Sequence, residues 1–448
     1  MFQQEVLAGE FCKDENFPGL FAIGLYDGSV VIGNAENANI SISKNCLYNL
    51  LSPHRTHVNA LSFINNSSSK LLSISSEDPV YLRDIHKNMP IEAFKTDISL
   101  IKCLTLNKYQ QNIFAVGGRD NNIAIFDVRN EGSVLSKHLQ HFESDKILRL
   151  PQPHWQFSKN TTYSKNAKFG SKDMVVSTLS AMAFLNEFQF ITGSSVSMTG
   201  IRCWDIRYIS NKPNTEPLFT YKMPSSKRDY GVAYLTVDSS KSQFYATCTN
   251  KETYIFSSIG SYESPMYTLP SNMDINYSIK TAIIPNSNNL LVGTTADSVE
   301  VFDLSPLYER NISKLQTSED FLPSSKYLLK GHDMETNVVH SSIDGKYILT
   351  GSASNVRIWE YGWDRTFQST GEEFNQIEKP VRINRGYYHT ERPLLNFSFP
   401  TSKLGLKINL PTFNDTPKRN KNPKRKLAEK NDNGMIKKGK YFPVFGDV

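Results

Sequence analysis

Phe114-Ala-Val-Gly-Gly-Arg-Asp-Asn-Asn-Ile-Ala-Ile-Phe-Asp127 decides the fold. A short apolar run turns over Gly, Asp and Asn and returns as an alternating strand that ends on an aromatic residue and an Asp, the pattern of a β-hairpin. The unit recurs in Phe190-Ile-Thr-Gly through Ile201-Arg-Cys-Trp-Asp205 and in Tyr347-Ile-Leu-Thr-Gly-Ser-Ala-Ser-Asn-Val-Arg-Ile-Trp359. Weaker copies run Phe21 to Ile32, Leu71 to Asp84, Phe244 to Phe256 and Leu290 to Asp303. One hairpin cannot bury its apolar face, whereas a ring of four-stranded blades buries all of them, and closure protects the sheet edges. Asp84 to Asp127 spans 43 residues and Phe256 to Phe302 spans 46, matching a blade of about 40–45 residues. Seven copies predict an all-β chain folded as a seven-bladed β-propeller.

The composition agrees with a globular, strand-rich chain: 39% hydrophobic, 21% charged and 11% aromatic over 448 residues. No run approaches the length of a membrane helix, and Met1 to Glu10 lacks the apolar segment of a secretory signal, so an intracellular protein is expected. The five cysteines are scattered and never form C-x-x-C, which points to reduced thiols and away from a disulfide framework or zinc module. The net charge of +6 is unevenly placed. Lys418 to Lys440 holds ten Lys/Arg against Glu429 and Asp432, leaving a body of about −2 and a basic tail.

Residues 1–361 are expected to form the propeller. Asp127 and Asp205 lie 78 residues apart, and the excess, 131–174, reads as a polar surface insertion around Pro151-Gln-Pro-His-Trp155. Tyr308 to Lys326 reads as a smaller loop. Residues 362–410 form an extension with apolar patches such as Leu394-Leu-Asn-Phe-Ser-Phe399, and 411–448 a basic, disordered tail.

Gly331-His332, Asp344-Gly345 and Trp359 follow a WD-repeat layout in which the His, a Ser or Thr and a turn Asp hydrogen-bond around the indole. His54 stands at the equivalent place of an earlier blade, so His54-x-x-His57 reads as blade architecture, not a metal pair. Phe126-Asp127-Val128-Arg129 and Trp204-Asp205-Ile206-Arg207 end the third strands of consecutive blades with the same aromatic-Asp-x-Arg. A guanidinium leaving a strand at the rim can bond bidentately across an interface; the competing reading is a local ion pair. Nucleotide-loop, serine-hydrolase, zinc-protease and catalytic-cysteine signatures are absent, so no catalytic residue, metal or cofactor is expected.

The paired motif resembles that of the cullin-4 substrate receptors. Gly117 to Arg129, the insertion after it, and Arg228-Asp-Tyr-Gly-Val-Ala-Tyr-Leu-Thr-Val-Asp-Ser-Ser240 through Phe256 resemble the Denticleless branch in sequence and order, over about Phe21 to Tyr361. The chain departs from it at Arg83-Asp84-Ile85-His86 and Phe302-Asp-Leu-Ser305. The resemblance implies a non-catalytic substrate-recognition subunit of a cullin-4 RING E3 ubiquitin ligase. It would dock on a DDB-type adaptor through Asp127, Arg129, Asp205 and Arg207 and recruit replication and cell-cycle proteins, such as a licensing factor or a ribonucleotide reductase inhibitor, from chromatin-bound PCNA. Glu77, Asp78, Arg119 and Asp120 are turn residues where a degron could meet it. Met435, Tyr441 and Phe442 resemble the family's terminal clamp-binding motif. Lys418, Arg419, Lys424, Arg425 and Lys426 read as a nuclear-import signal, or as an arm touching DNA phosphates. The alternative is a chromatin-associated WD-repeat scaffold that holds a histone or other peptide in its channel.

Overall fold

The computed structural model describes residues 5–36, 47–50, 54–64, 67–128, 148–151, 153–157, 174–209, 215–238, 240–259, 262–308, 325–353, 355–360 and 395–398. The chain divides into Met1–Thr401, which contains all of these, and Ser402–Val448, which lies outside them. Arg129 and the residues named above in the tail also lie outside the described residues.

Seven four-stranded antiparallel sheets form the ring, each filled from its inner to its outer strand in chain order. Blade 1 is Val6–Phe11, Leu20–Leu25, Val30–Asn34 and Leu47–Leu50; blade 2 is Val58–Phe63, Lys70–Ser75, Val80–Asp84 and Met89–Phe94. Blade 3 is Ile101–Leu106, Ile113–Gly118, Asn122–Asp127 and Leu148–Pro151; blade 4 is Leu179–Phe184, Gln189–Ser194, Ile201–Asp205 and Phe219–Tyr221. Blade 5 is Val232–Asp238, Gln243–Cys248, Glu252–Ser257 and Tyr267–Pro270; blade 6 is Thr281–Ile283, Asn289–Gly293, Ser298–Asp303 and Ser325–Lys330. Blade 7 is Thr336–Ser341, Tyr347–Ser352, Asn355–Glu360 and Leu395–Ser398. Each inner strand packs on the next, and Val6–Phe11 meets Thr336–Ser341 to close the circle.

Two boundaries differ from the sequence reading. Leu148–Pro151, inside the expected 131–174 insertion, is the outer strand of blade 3, pairing Ile123 with Leu150; Trp155–Phe157 and Met174–Val176 pair with each other. The last blade takes its outer strand from Leu395–Ser398, beyond the expected end at 361, pairing Val356 with Phe397. Outer strands are short and half-solvated, so their alternation is weak, and a long connection hides them from any search by repeat length.

The blade seams explain the recurring glycine. At the same position of the second strand, Gly24, Gly117, Gly193, Gly293 and Gly351 each admit the inner strand of the following blade. A Cβ on Gly117 would stand 2.1 Å from Leu179, and one on Gly193 2.7 Å from Val232. Side chains of both walls then fill the seams. Phe114 and Phe126 stack at 5.0 Å in blade 3, as do Phe244 and Phe256 in blade 5, all of them buried.

The WD-repeat hydrogen bonds occur in two blades. In blade 7 Trp359 Nε1 donates to Thr350 Oγ1 at 2.8 Å, and that hydroxyl lies 2.7 Å from His332 Nε2. The polar partner of His332 Nδ1 is Asn355 Oδ1 at 2.6 Å, in place of the expected turn Asp; Asp344 instead accepts the Lys346 amide at 2.9 Å. Blade 4 repeats the arrangement with Trp204, Thr192 and His154, each bond 2.9 Å long. His154 belongs to the segment read as insertion, and its role is structural.

Candidate functional site

Because successive strands alternate in direction, the ends of the third strands and the turns that precede those strands lie at opposite ends of the blades. Asp127 and Asp205 are on one end; Glu77, Asp78, Arg119 and Asp120 are on the other. The sequence-derived candidates therefore separate into two faces.

On the first face, Asp205 is the last residue of its strand, opposite Gln189, and its side chain is 3% exposed. It accepts Arg207 Nε at 3.0 Å and Nη2 at 2.6 Å, and also the Arg207 amide at 3.0 Å. These bonds, the guanidinium's first among them, hold the carboxyl below its ordinary range. The guanidinium lies over the Phe188 ring at 4.3 Å, with Tyr208 beside it at 5.6 Å. Local pairing and outward presentation thus occur together. The Nε–Nη2 edge is bound to Asp205, Nη1 has no acceptor among the described residues, and the side chain remains 52% exposed. An apolar cleft adjoins it, lined by Trp204, Tyr208, Ile209 and Leu218; Tyr208 is 74% exposed.

Blade 3 carries the same backbone frame. The Val128 amide donates to Asn112 O at 2.8 Å just as the Ile206 amide donates to Phe188 O at 2.9 Å, so the chain leaves both strands alike. Asp127 is half-buried at the position of Asp205.

On the opposite face the two aspartates hold turns. Asp78 accepts the Arg55 amide at 2.8 Å and lies 3.5 Å from His54 Nδ1; Asp120 accepts the Ser99 amide at 3.0 Å and Asn122 Nδ2 at 3.0 Å. Glu77 and Arg119 are exposed. His54 and His57 diverge: His54 Nε2 lies 2.9 Å from Ser73 Oγ, while the His57 ring stacks on Tyr26 at 5.7 Å. Among the described residues no three His, Cys, Asp or Glu side chains converge as metal ligands.

The WD domain, G-beta repeat family matches residues 323–360, which span the outer strand of blade 6 and the first three strands of blade 7. The chain is 24% identical to the Denticleless protein homolog of Danio rerio over 327 residues, 70% of this chain and 47% of the relative. It is 23% identical to the Denticleless protein homolog of Homo sapiens over 360 residues, 78% of this chain and 46% of that one. Protein lethal(2)denticleless of Drosophila melanogaster is 21% identical over 425 residues, 92% of this chain and 51% of the relative. The chain is similar to Denticleless-type WD-repeat proteins. The chain spans about half the length of the curated relatives it matches.

The structure adds residues that no linear pattern marked. His154 is one, hidden by the distance from its blade's other signals. Lys102 and Lys280 are two more, because blades 3 and 6 are brought together only by the ring.

Proposed function

We propose that this protein is the substrate-recognition subunit of a cullin-4 RING E3 ubiquitin ligase, acting in the nucleus. The observation that carries the reading is the Asp205–Arg207 arrangement: a buried carboxylate fixes a guanidinium at the rim with one edge free and an apolar cleft beside it. Blade 3 repeats the motif in the neighbouring blade. Pre-ordering of an arginine by its own blade lowers the entropy lost when a partner engages it. A DDB-type adaptor docks on Asp127, Arg129, Asp205 and Arg207, and Tyr208 and Leu218 supply the apolar part of that contact. The receptor performs no chemistry; by holding a substrate beside the ligase's catalytic end it raises the effective concentration of the lysine to be modified.

The substrates, on this reading, are replication and cell-cycle proteins, among them a licensing factor and a ribonucleotide reductase inhibitor, bound to chromatin-associated PCNA. Met435, Tyr441 and Phe442 would contact the clamp, and Lys418, Arg419, Lys424, Arg425 and Lys426 would direct nuclear import, with DNA contact a further use of the same run. The decisive experiment is charge reversal at both arginines, Arg129→Glu with Arg207→Glu. Loss of a paired interfacial charge costs roughly 2–5 kcal/mol, so co-purification of adaptor and cullin should be abolished. Because Arg207 also pairs the buried Asp205, the melt should fall while circular dichroism still shows a folded propeller, and Arg129→Glu alone should weaken co-purification. Retained co-purification overturns the assigned contact.

A further inference from the structure

The mouth of the central channel, at the end opposite Asp205, gathers cations from blades that are not neighbours. Lys102 is on the inner strand of blade 3, and its Nζ lies 5.3 Å from the centre of the Tyr277 ring, which belongs to the segment entering blade 6. Tyr277 is itself fixed, its hydroxyl donating to Ser195 O of blade 4 at 2.9 Å. Three residues on, Lys280 stands immediately before the inner strand of blade 6 and is half-buried. Its carbonyl accepts the Gly293 amide at 3.1 Å, while its ammonium group makes no hydrogen bond or ion pair among the described residues. The carboxylate it feels is Glu10 of blade 1, which already binds Lys13 at 2.5 Å and accepts from Ser62 Oγ at 3.3 Å. Arg119 stands in the adjoining turn of blade 3, close enough to act on Lys102. Two acidic groups on this face are engaged elsewhere, since Glu335 accepts Asn276 Nδ2 at 2.8 Å and Asp120 holds its own turn, while the exposed Glu77 lies in the turn of blade 2.

We propose that this mouth is a binding site for an acidic peptide segment, whose carboxylates lie between Lys102 and Lys280 with Arg119 at the edge. The inner strands of the seven blades line the centre of the ring, and propellers of this architecture enclose a central channel. The charge argument selects the occupant. Burial depresses both lysines, Lys280 to about 8, and an entering anion relieves that cost by supplying the counter-charge the fold withholds. A basic peptide of histone type would meet ammonium groups head on, so the scaffold reading with a histone tail in the channel is disfavoured. The site is separate from the proposed adaptor contact, being at the other end of the blades.

The test is fluorescence anisotropy on the full chain with a labelled Asp/Glu-rich peptide and its Lys/Arg-rich counterpart of equal length. The acidic peptide should bind saturably and more weakly at higher salt, and the basic one should not. Lys102→Glu with Lys280→Glu should weaken binding about tenfold or more, and Lys102→Met with Lys280→Met, which keeps the apolar stems, should weaken it in the same direction. Both variants should still co-purify with adaptor, whereas Arg129→Glu with Arg207→Glu should still bind peptide. Absence of saturable binding, equal binding of the basic peptide, or unchanged affinity in the Met variant overturns the proposal; the last result marks the basic run 418–440 as the receptor.

Discussion

His154 and His332 show how an ordinary side chain is converted into a structural one. Each ring is enclosed and shares a threonine hydroxyl that also takes an indole N–H; the Asp333 and Asp297 carboxylates near His332 do not offset its burial. Burial, the largest cause in every case, pushes His154 down to about 3 and His54 and His332 to about 4. The unfolded chain titrates near 6.5. Because the folded values are the lower ones, stability is complete above about pH 6.5 and is lost as pH falls toward 4, by up to about 1.4 kcal/mol per pH unit for each histidine. Urea midpoints measured between pH 7 and pH 5 should therefore fall steeply, and His332→Gln should flatten the slope. An equal slope in that variant would place the linkage elsewhere. Blade 2 keeps His54 and Ser73 but has Arg83 where Trp204 and Trp359 stand; the arginine is 9% exposed with Nε and Nη1 unpaired. Nothing in the structure explains that choice, and it marks the sequence departure at Arg83-Asp84 as a real change in blade chemistry.

Blade 7 depends on a strand drawn from far along the chain. Asn355–Glu360 would be an open edge without Leu395–Ser398, exposing a row of backbone donors and acceptors and one face of the packed sheet. A chain ending at 361 should melt lower and self-associate at concentrations where a chain ending at 401 stays monomeric, as read by scanning calorimetry and light scattering. Identical behaviour of the two would show that this strand adds nothing to the blade. The elements that were legible from the start were the second and third strands of each blade, because both faces of those strands are walled by neighbours and their apolar runs are unbroken. The outer strands of blades 3 and 7 were not. Register and a distant connection place them, and neither leaves a mark in local composition.

The ring is closed by packing together with a hydrogen bond across the seam. Among the described residues no strand is exchanged between the first and last blades; instead Val6–Phe11 lies against Thr336–Ser341, and the Phe11 amide donates to His340 Nδ1 at 3.2 Å. Gly9 is a point of close approach, since a Cβ there would stand 2.6 Å from Val338 and 3.0 Å from Leu349. Gly9→Ala should destabilise by roughly 1–3 kcal/mol through overpacking. Val338→Ala should restore part of that loss, a coupling read from a double-mutant cycle of urea midpoints. Additive losses would show that the seam does not bear on closure at this point.

Seven hairpins, their recurring glycine, the aromatic-Asp-x-Arg of two consecutive blades and a basic tail are all written in neighbouring residues, since each is a local pattern with a local physical cause. Bringing Lys102 to Tyr277, freeing one edge of Arg207 while Asp205 holds the other, and recruiting His154 and Leu395–Ser398 into blades depend on which segments the closed ring places side by side. Those contacts join residues dozens to hundreds of positions apart, and linear order carries no record of them, because it is burial of blade against blade that selects the partners.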